Sequence, residues 1–251
     1  MIQYDGVTIS VSRGGRGPLL VFCPGLCSTQ ADLHELLGLL RHQYDVVTFD
    51  LRGHGLSSAA ARYCFEDFLN DLTAVLSQLD RAPLLVGYSL GADLAVHYAS
   101  KHPDRVSGLV LIDGANPVPE PFLTEADLPM FRDLWEQTAD HLKTLRGTAR
   151  QVLLTAQEIL DLNLQLDVIR SEILDRYATI DRPITMIMST AMAGDRHALN
   201  QNWQAGIERL VSDRISIVRL DVDHGLIRSH AAEIAAIIHR GPGNWGHADH
   251  R

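Results

Sequence analysis

The chain has 251 residues, enough for one large α/β domain or for a core domain with an insertion, and enough to bury a core without disulfides or metals. At 46% hydrophobic and 21% charged it reads as an ordinary globular protein. Its formal net charge of −9 argues against a nucleic-acid backbone or an anionic membrane surface as a partner. Three cysteines, Cys23, Cys27 and Cys64, supply neither a disulfide framework nor a metal-ligand pattern, so no metal is expected and buried neutral thiols are. Met1–Gly6 has no basic n-region or apolar h-region, and no apolar run approaches the ~18 residues needed to span a bilayer; a cytoplasmic protein is the expectation.

Short apolar, β-branched runs alternate with helix-period segments. Strands are expected at Val7–Val11, Leu19–Cys23, Val46–Asp50, Leu84–Tyr88, Gly108–Asp113, Ile184–Ser189 and Ile215–Leu220. Most are apolar on both faces, as parallel strands between two helix layers should be; the first alternates and suits an antiparallel edge. Phe65–Leu79 is an amphipathic helix, with Phe65, Phe68, Leu69, Leu72, Val75, Leu76 and Leu79 at i, i+3, i+4 spacing. Gly91–Lys101 is a second helix, ending before Pro103, and Ala231–His239 a third. The repeated β-α-β spacing predicts parallel strands with right-handed crossovers.

Residues 116–181 differ. They open on Pro117, Pro119 and Pro121 and then carry helical patterns at Phe131–Thr144, Ala149–Leu162 and Val168–Tyr177, with Thr124 and Asp127 resembling a capping box. This block reads as a helical cap inserted in a core formed by residues 1–115 and 182–240. Residues 241–251, rich in Gly and His, are expected to form a mobile tail.

The chemistry-bearing motif is Gly87-Tyr88-Ser89-Leu90-Gly91, a G-x-S-x-G placed between a predicted strand and a predicted helix. That context puts the serine on a tight, strained turn, its hydroxyl above the sheet edge and the helix N-terminus beneath any developing negative charge. Serine needs a base. His224, in Asp221-Val222-Asp223-His224-Gly225, follows the last strand at its C-terminal end, where open α/β sheets build their sites. His97 and His102 fall within or at the end of a helix, and His239, His247 and His250 come too late.

With these residues in place the chain resembles the α/β-hydrolase superfamily over nearly its whole length. Asp50-Leu51-Arg52-Gly53-His54-Gly55-Leu56-Ser57 looks like the family's loop after an early strand, and Pro24-Gly25-Leu26 like its oxyanion loop, with Pro24 where the family often has His. His224-Gly225-Leu226, with His230 and a closing helix, resembles the bacterial esterase and cofactor-free haloperoxidase branch. The resemblance implies a mostly parallel central sheet flanked by helices, with a helical lid inserted after the sixth strand. It also implies the order Ser, acid, His, with no cofactor and no metal. Backbone N–H groups of Leu26 and Leu90 would form the oxyanion hole.

For the acid, family order favours Asp195, after the strand Ile184–Ser189, although Thr190–Gly194 intervene. Asp113, in Leu111-Ile112-Asp113-Gly114, is the rival; some polyketide-type thioesterases take their acid there, and an Asp before Gly is also a common turn former. Asp223 is too close to His224 in sequence to orient it. Arg52 is expected to bridge an acid such as Asp50 or to hold the loop, and His54 to serve structure. Tyr88, Phe131 and Trp135 are candidates for the substrate pocket, with Phe122, Met130 and Trp203 carrying the same ambiguity between pocket and core.

The expected reaction is cleavage of a small-molecule ester, lactone or thioester through an acyl-enzyme, the substrate being free or carried on an acyl carrier. Other expectations are a biosynthetic thioesterase, a C–C bond hydrolase, a cofactor-free perhydrolase and a non-catalytic ligand-binding homologue. Epoxide hydrolases and dehalogenases need Asp where Ser89 stands.

Overall fold

The computed structural model describes the whole chain except Glu120, Phe122, Thr124, Ala126, residues 191–196, Val211 and residues 242–251. The Thr124 capping position, Phe122, Asp195 and the tail histidines His247 and His250 therefore lie outside the described residues.

The strands are β1 (Ile2–Tyr4), β2 (Val7–Ile9), β3 (Val11–Gly15), β4 (Leu19–Cys23), β5 (Asp45–Phe49), β6 (Leu84–Tyr88), β7 (Gly108–Ile112), β8 (Ile184–Ser189) and β9 (Ile215–Leu220). The helices are α1 (His34–Leu40), α2 (Phe65–Ser77), α3 (Leu90–Lys101), α4 (Leu128–Lys143), α5 (Ala156–Glu172), α6 (Leu174–Thr179), α7 (His197–Glu208), α8 (Leu226–Ser229) and α9 (Ala231–Arg240).

Seven strands form one sheet in the order β3-β5-β4-β6-β7-β8-β9, parallel throughout except for β3, which runs antiparallel on β5 at the edge. The first predicted strand divides: Val7–Ile9 pairs with β1 in a separate hairpin, and Val11 opens β3. Only one antiparallel strand thus joins the large sheet. The helical block consequently follows the fifth strand of that sheet in chain order, β7, rather than a sixth.

Period-two alternation explains why both sheet faces are apolar. Leu19, Val21 and Cys23 of β4 face one core and Leu20 and Phe22 the other; Leu109 and Leu111 of β7 separate from Val110 and Ile112 in the same way. The first core lies under α2, α3 and the helical block, the second under α1, α8 and α9. Within the block, α4 packs on α5, and α5 and α6 pack on α3. Two predicted helices, Ala149–Leu162 and Val168–Tyr177, become one continuous α5 plus the short α6. The true helix start is Thr155, where Thr155 and Glu158 make a reciprocal capping box. Among the described residues no helix is long and apolar enough to cross a membrane.

Chain order reverses at β4, which has β5 on one side and β6 on the other. Open α/β sheets carry a crevice at such a switch point, outside the carboxyl ends of the strands. Here the loop after β4 and the turn after β6 stand at that switch point.

Candidate active site

Ser89 sits between β6 and α3 with φ 50° and ψ −120°. A non-glycine residue holds that conformation only where its surroundings over-determine it. They do so through glycines. A Cβ on Gly91 would stand 2.2 Å from the Cys23 carbonyl, one on Gly87 2.3 Å from the Gly91 carbonyl, and one on Gly114 2.3 Å from the Ser89 carbonyl. The Ser89 N–H donates to Ile112 O at 2.8 Å, fastening the turn to β7.

His224 Nε2 lies 3.1 Å from Ser89 Oγ, and His224 Nδ1 lies 2.6 Å from Asp113 Oδ2. Asp113 directly follows β7 with φ 47° and is buried. The carboxylate against His224 among the described residues is therefore Asp113, the rival of Asp195; Asp195, which chain order favours, lies outside the described residues. The physical reason is strand order. His224 follows β9, and β8 separates β9 from β7. The loop after β9 folds back past the tip of β8, where Ser189 is the last residue. Ser189 donates its N–H to Asp113 Oδ1 at 2.8 Å and its hydroxyl to the carboxylate at 2.8 Å. Burial opposes the Asp113 charge, but the hydrogen bond and charge of His224 together with the Ser189 donors hold the carboxyl below its ordinary range. With Asp113 ionised and accepting from Nδ1–H, Nε2 is left as an acceptor facing Ser89.

Tyr88 takes a different place from the one expected. Its ring stacks on His224, with centroids 5.4 Å apart, and its hydroxyl donates to the His224 carbonyl at 2.8 Å. It belongs to the core beneath α8 and α9, on the sheet face opposite the helical block, because alternation along β6 sends it there. Tyr88 thus anchors the histidine loop instead of lining a pocket. Phe131 is buried on α4, and Trp135 packs on the core cluster that also contains Leu90 and Ala115; its indole N–H is buried and meets no acceptor among the described residues.

The loop after β4 approaches Ser89 closely: a Cβ on Gly25 would lie 3.1 Å from Ser89 Cβ. Gly25 to Ser28 form a turn, with Ser28 N–H donating to Gly25 O at 3.1 Å. The Cys27 N–H is consumed by His54 Nε2 at 3.0 Å. The N–H groups of Leu26 and Leu90 meet no acceptor among the described residues; Leu90 opens α3 and has no intrahelical partner. Two unpaired donors therefore lie on the two segments next to Ser89, the loop after β4 and the start of α3. Burial pushes the Cys27 thiol up to about 12 and the Cys23 thiol higher still, so both are neutral.

His54 is fully buried, donating from Nδ1 to Arg52 O at 2.8 Å while Nε2 accepts from Cys27; it holds the Gly25–Ser28 turn. Arg52 pairs with Asp71 at 2.6 Å, with Asp67 at 3.7 Å, and not with Asp50. Asp50 instead accepts from the Gln30 and Leu56 N–H groups and the Gln30 side chain. Sequence reasoning passed over Ser189 because a serine at a strand tip carries no signal until the strand order is known.

The alpha/beta hydrolase fold family pattern matches residues 18–206, and the chain belongs to that family. The 2-(acetamidomethylene)succinate hydrolase of Mesorhizobium japonicum is 37% identical over 114 residues, 45% of this chain and 41% of that protein. A non-heme haloperoxidase-like protein of Mycobacterium phage D29 is 34% identical over 118 residues, 46% of this chain and 42% of the relative. The matches thus span about two fifths of those relatives. A solved thioesterase domain from the curacin biosynthetic pathway covers 96% of this chain and 98% of its own at 22% identity and TM-score 0.68, a likeness of fold.

Proposed function

We propose that this chain is a serine hydrolase that cleaves a small-molecule ester, lactone or thioester through an acyl-enzyme. The observation that carries the reading is the unbroken contact series Ser89 Oγ, His224 and Asp113, at 3.1 and 2.6 Å. Ser89 Oγ attacks the carbonyl carbon as its proton passes to His224 Nε2, and Asp113 stabilises the imidazolium. The N–H groups of Leu26 and Leu90 hold the oxyanion, with each donor contributing roughly 3–4 kcal/mol to the barrier reduction. His224 then protonates the leaving alcohol or thiol, and water repeats the sequence to release the acid. Phe131 and Trp135 supply an apolar wall for the acyl group from the helical block.

The test is hydrolysis of 4-nitrophenyl acetate and butyrate, with labelling by a fluorophosphonate. Ser89→Ala should abolish both. Undiminished hydrolysis by that variant would overturn the mechanism, and stoichiometric labelling without turnover on any ester would mark a ligand-binding homologue.

One observation favours a thioesterase within this class. Asp113 directly follows the strand next to the elbow strand, a position from which some polyketide-type thioesterases take their acid. A higher kcat/KM for an acyl thioester than for the matched oxygen ester would support it.

A further inference from the structure

A buried ion pair is among the contacts that join the helical block to α3. Arg170, near the end of α5, donates from Nε to both carboxylate oxygens of Asp93 at 3.0 and 3.2 Å, and from Nη2 to Oδ2 at 2.7 Å. Asp93 is fully buried in the first turn of α3, and Arg170 is 9% exposed. The guanidinium carbon lies 5.5 Å from the centroid of the Trp203 ring of α7.

The pair reaches the loop that carries the acid. Asp93 Oδ1 also accepts the Ala115 N–H at 3.1 Å, and Tyr177 of α6 donates its hydroxyl to the Ala115 carbonyl at 2.5 Å. Both backbone polar groups of Ala115 are thus gripped by side chains, one belonging to the helical block and one neutralised by it. Ala115 stands two residues after Asp113, and both hold positive φ, 54° and 47°. Two left-handed non-glycine residues so close together persist only if the surroundings impose them. A buried ion pair is by itself weak evidence of a gain in stability, which leaves positional specificity as a role for it.

We propose that Arg170 is a positioning residue for the triad: by fixing Asp93 it holds Ala115, and through Ala115 the backbone that presents Asp113 to His224. Docking of the helical block on α3 completes the triad, so the block does more than cover the site. This inference rests on the serine-hydrolase reading.

The experiment compares wild type, Arg170→Met, Arg170→Lys and Tyr177→Phe by steady-state hydrolysis of 4-nitrophenyl butyrate and by the second-order rate of inactivation with a fluorophosphonate. The inactivation rate reports Ser89 activation whatever the natural substrate. Arg170→Met should lower kcat and the inactivation rate together, on the order of 10–100-fold, with KM little changed. Arg170→Lys should recover part of the loss, because an ammonium can reach one carboxylate oxygen but cannot reproduce the fork. Tyr177→Phe, which removes only a hydroxyl, should show a smaller loss in the same two readouts. If Arg170→Met does not fold, Tyr177→Phe decides. Folded variants with wild-type kcat and inactivation rates, or a loss confined to KM, would overturn the positioning role. Ser89→Ala separates the two ideas: if it still hydrolyses and labels, the serine-hydrolase reading itself fails.

Discussion

Replacing Asp113 with Asn tests the site where geometry and chain order disagree. Asp113 is 1% exposed and accepts from His224 at 2.6 Å and from the Ser189 N–H and hydroxyl at 2.8 Å each. Asn keeps the volume, and its carbonyl oxygen can retain the Ser189 donors. That orientation turns the amide NH2 toward His224 Nδ1, which must then become the acceptor and leave its proton on Nε2, facing Ser89 Oγ where a base is needed. A wrong tautomer of this kind costs about 10⁴-fold in kcat, or about 5.5 kcal/mol of transition-state stabilisation. The assay is steady-state hydrolysis of a 4-nitrophenyl ester, with a thermal melt to show that the variant is folded and Asp195→Asn measured beside it. Activity of Asp113→Asn within about ten-fold of wild type, or an equal fall in Asp195→Asn, would refute the reasoning.

His54 predicts a pH dependence of stability. Burial pushes its pKa down to about 4, so between that value and its ordinary 6.5 the unfolded chain binds a proton that the folded chain refuses. Stability should therefore rise with pH across this window, by about 3 kcal/mol at full extent. Urea unfolding of wild type and His54→Gln at pH 7 and pH 4.5 checks this; equal losses on acidification would count against it. Arg52→Met would leave the fully buried Asp71 without its partner and should destabilise the fold by about 3–5 kcal/mol, with the double variant Arg52→Met/Asp71→Leu recovering most of it. A single-variant cost below about 1 kcal/mol in urea unfolding would show that Asp71 finds another partner.

The fold was legible where the signal is local. Strands buried on both faces read as continuous apolar runs, so β4, β6, β7 and β8 agree with their sequence ranges to within a residue. The amphipathic α2 and α9 were equally plain. The short α1 and the helix α7 are elements that only the structure shows, and α5 reads in the sequence as two segments, since its apolar residues do not keep to one face. Its Thr155 capping box falls inside Ala149–Leu162, whose pattern reads as continuous helix.

Ser89 could be read directly, because a strand, a pentapeptide and a helix are contiguous and their geometry follows from residues a few positions apart. His224 followed from its place at the end of a strand. The third partner could not be read in this way. Asp113 and His224 are 2.6 Å apart at the ends of β7 and β9, with β8 between them. Which carboxylate meets the imidazole depends on how far the loop after β9 reaches back across Ser189, a matter of strand order and loop path. The same holds for Asp93, Arg170 and Ala115, which come from a core helix, an inserted helix and the acid loop. Such contacts arise from the packing of whole elements, and no period or motif along the chain encodes them.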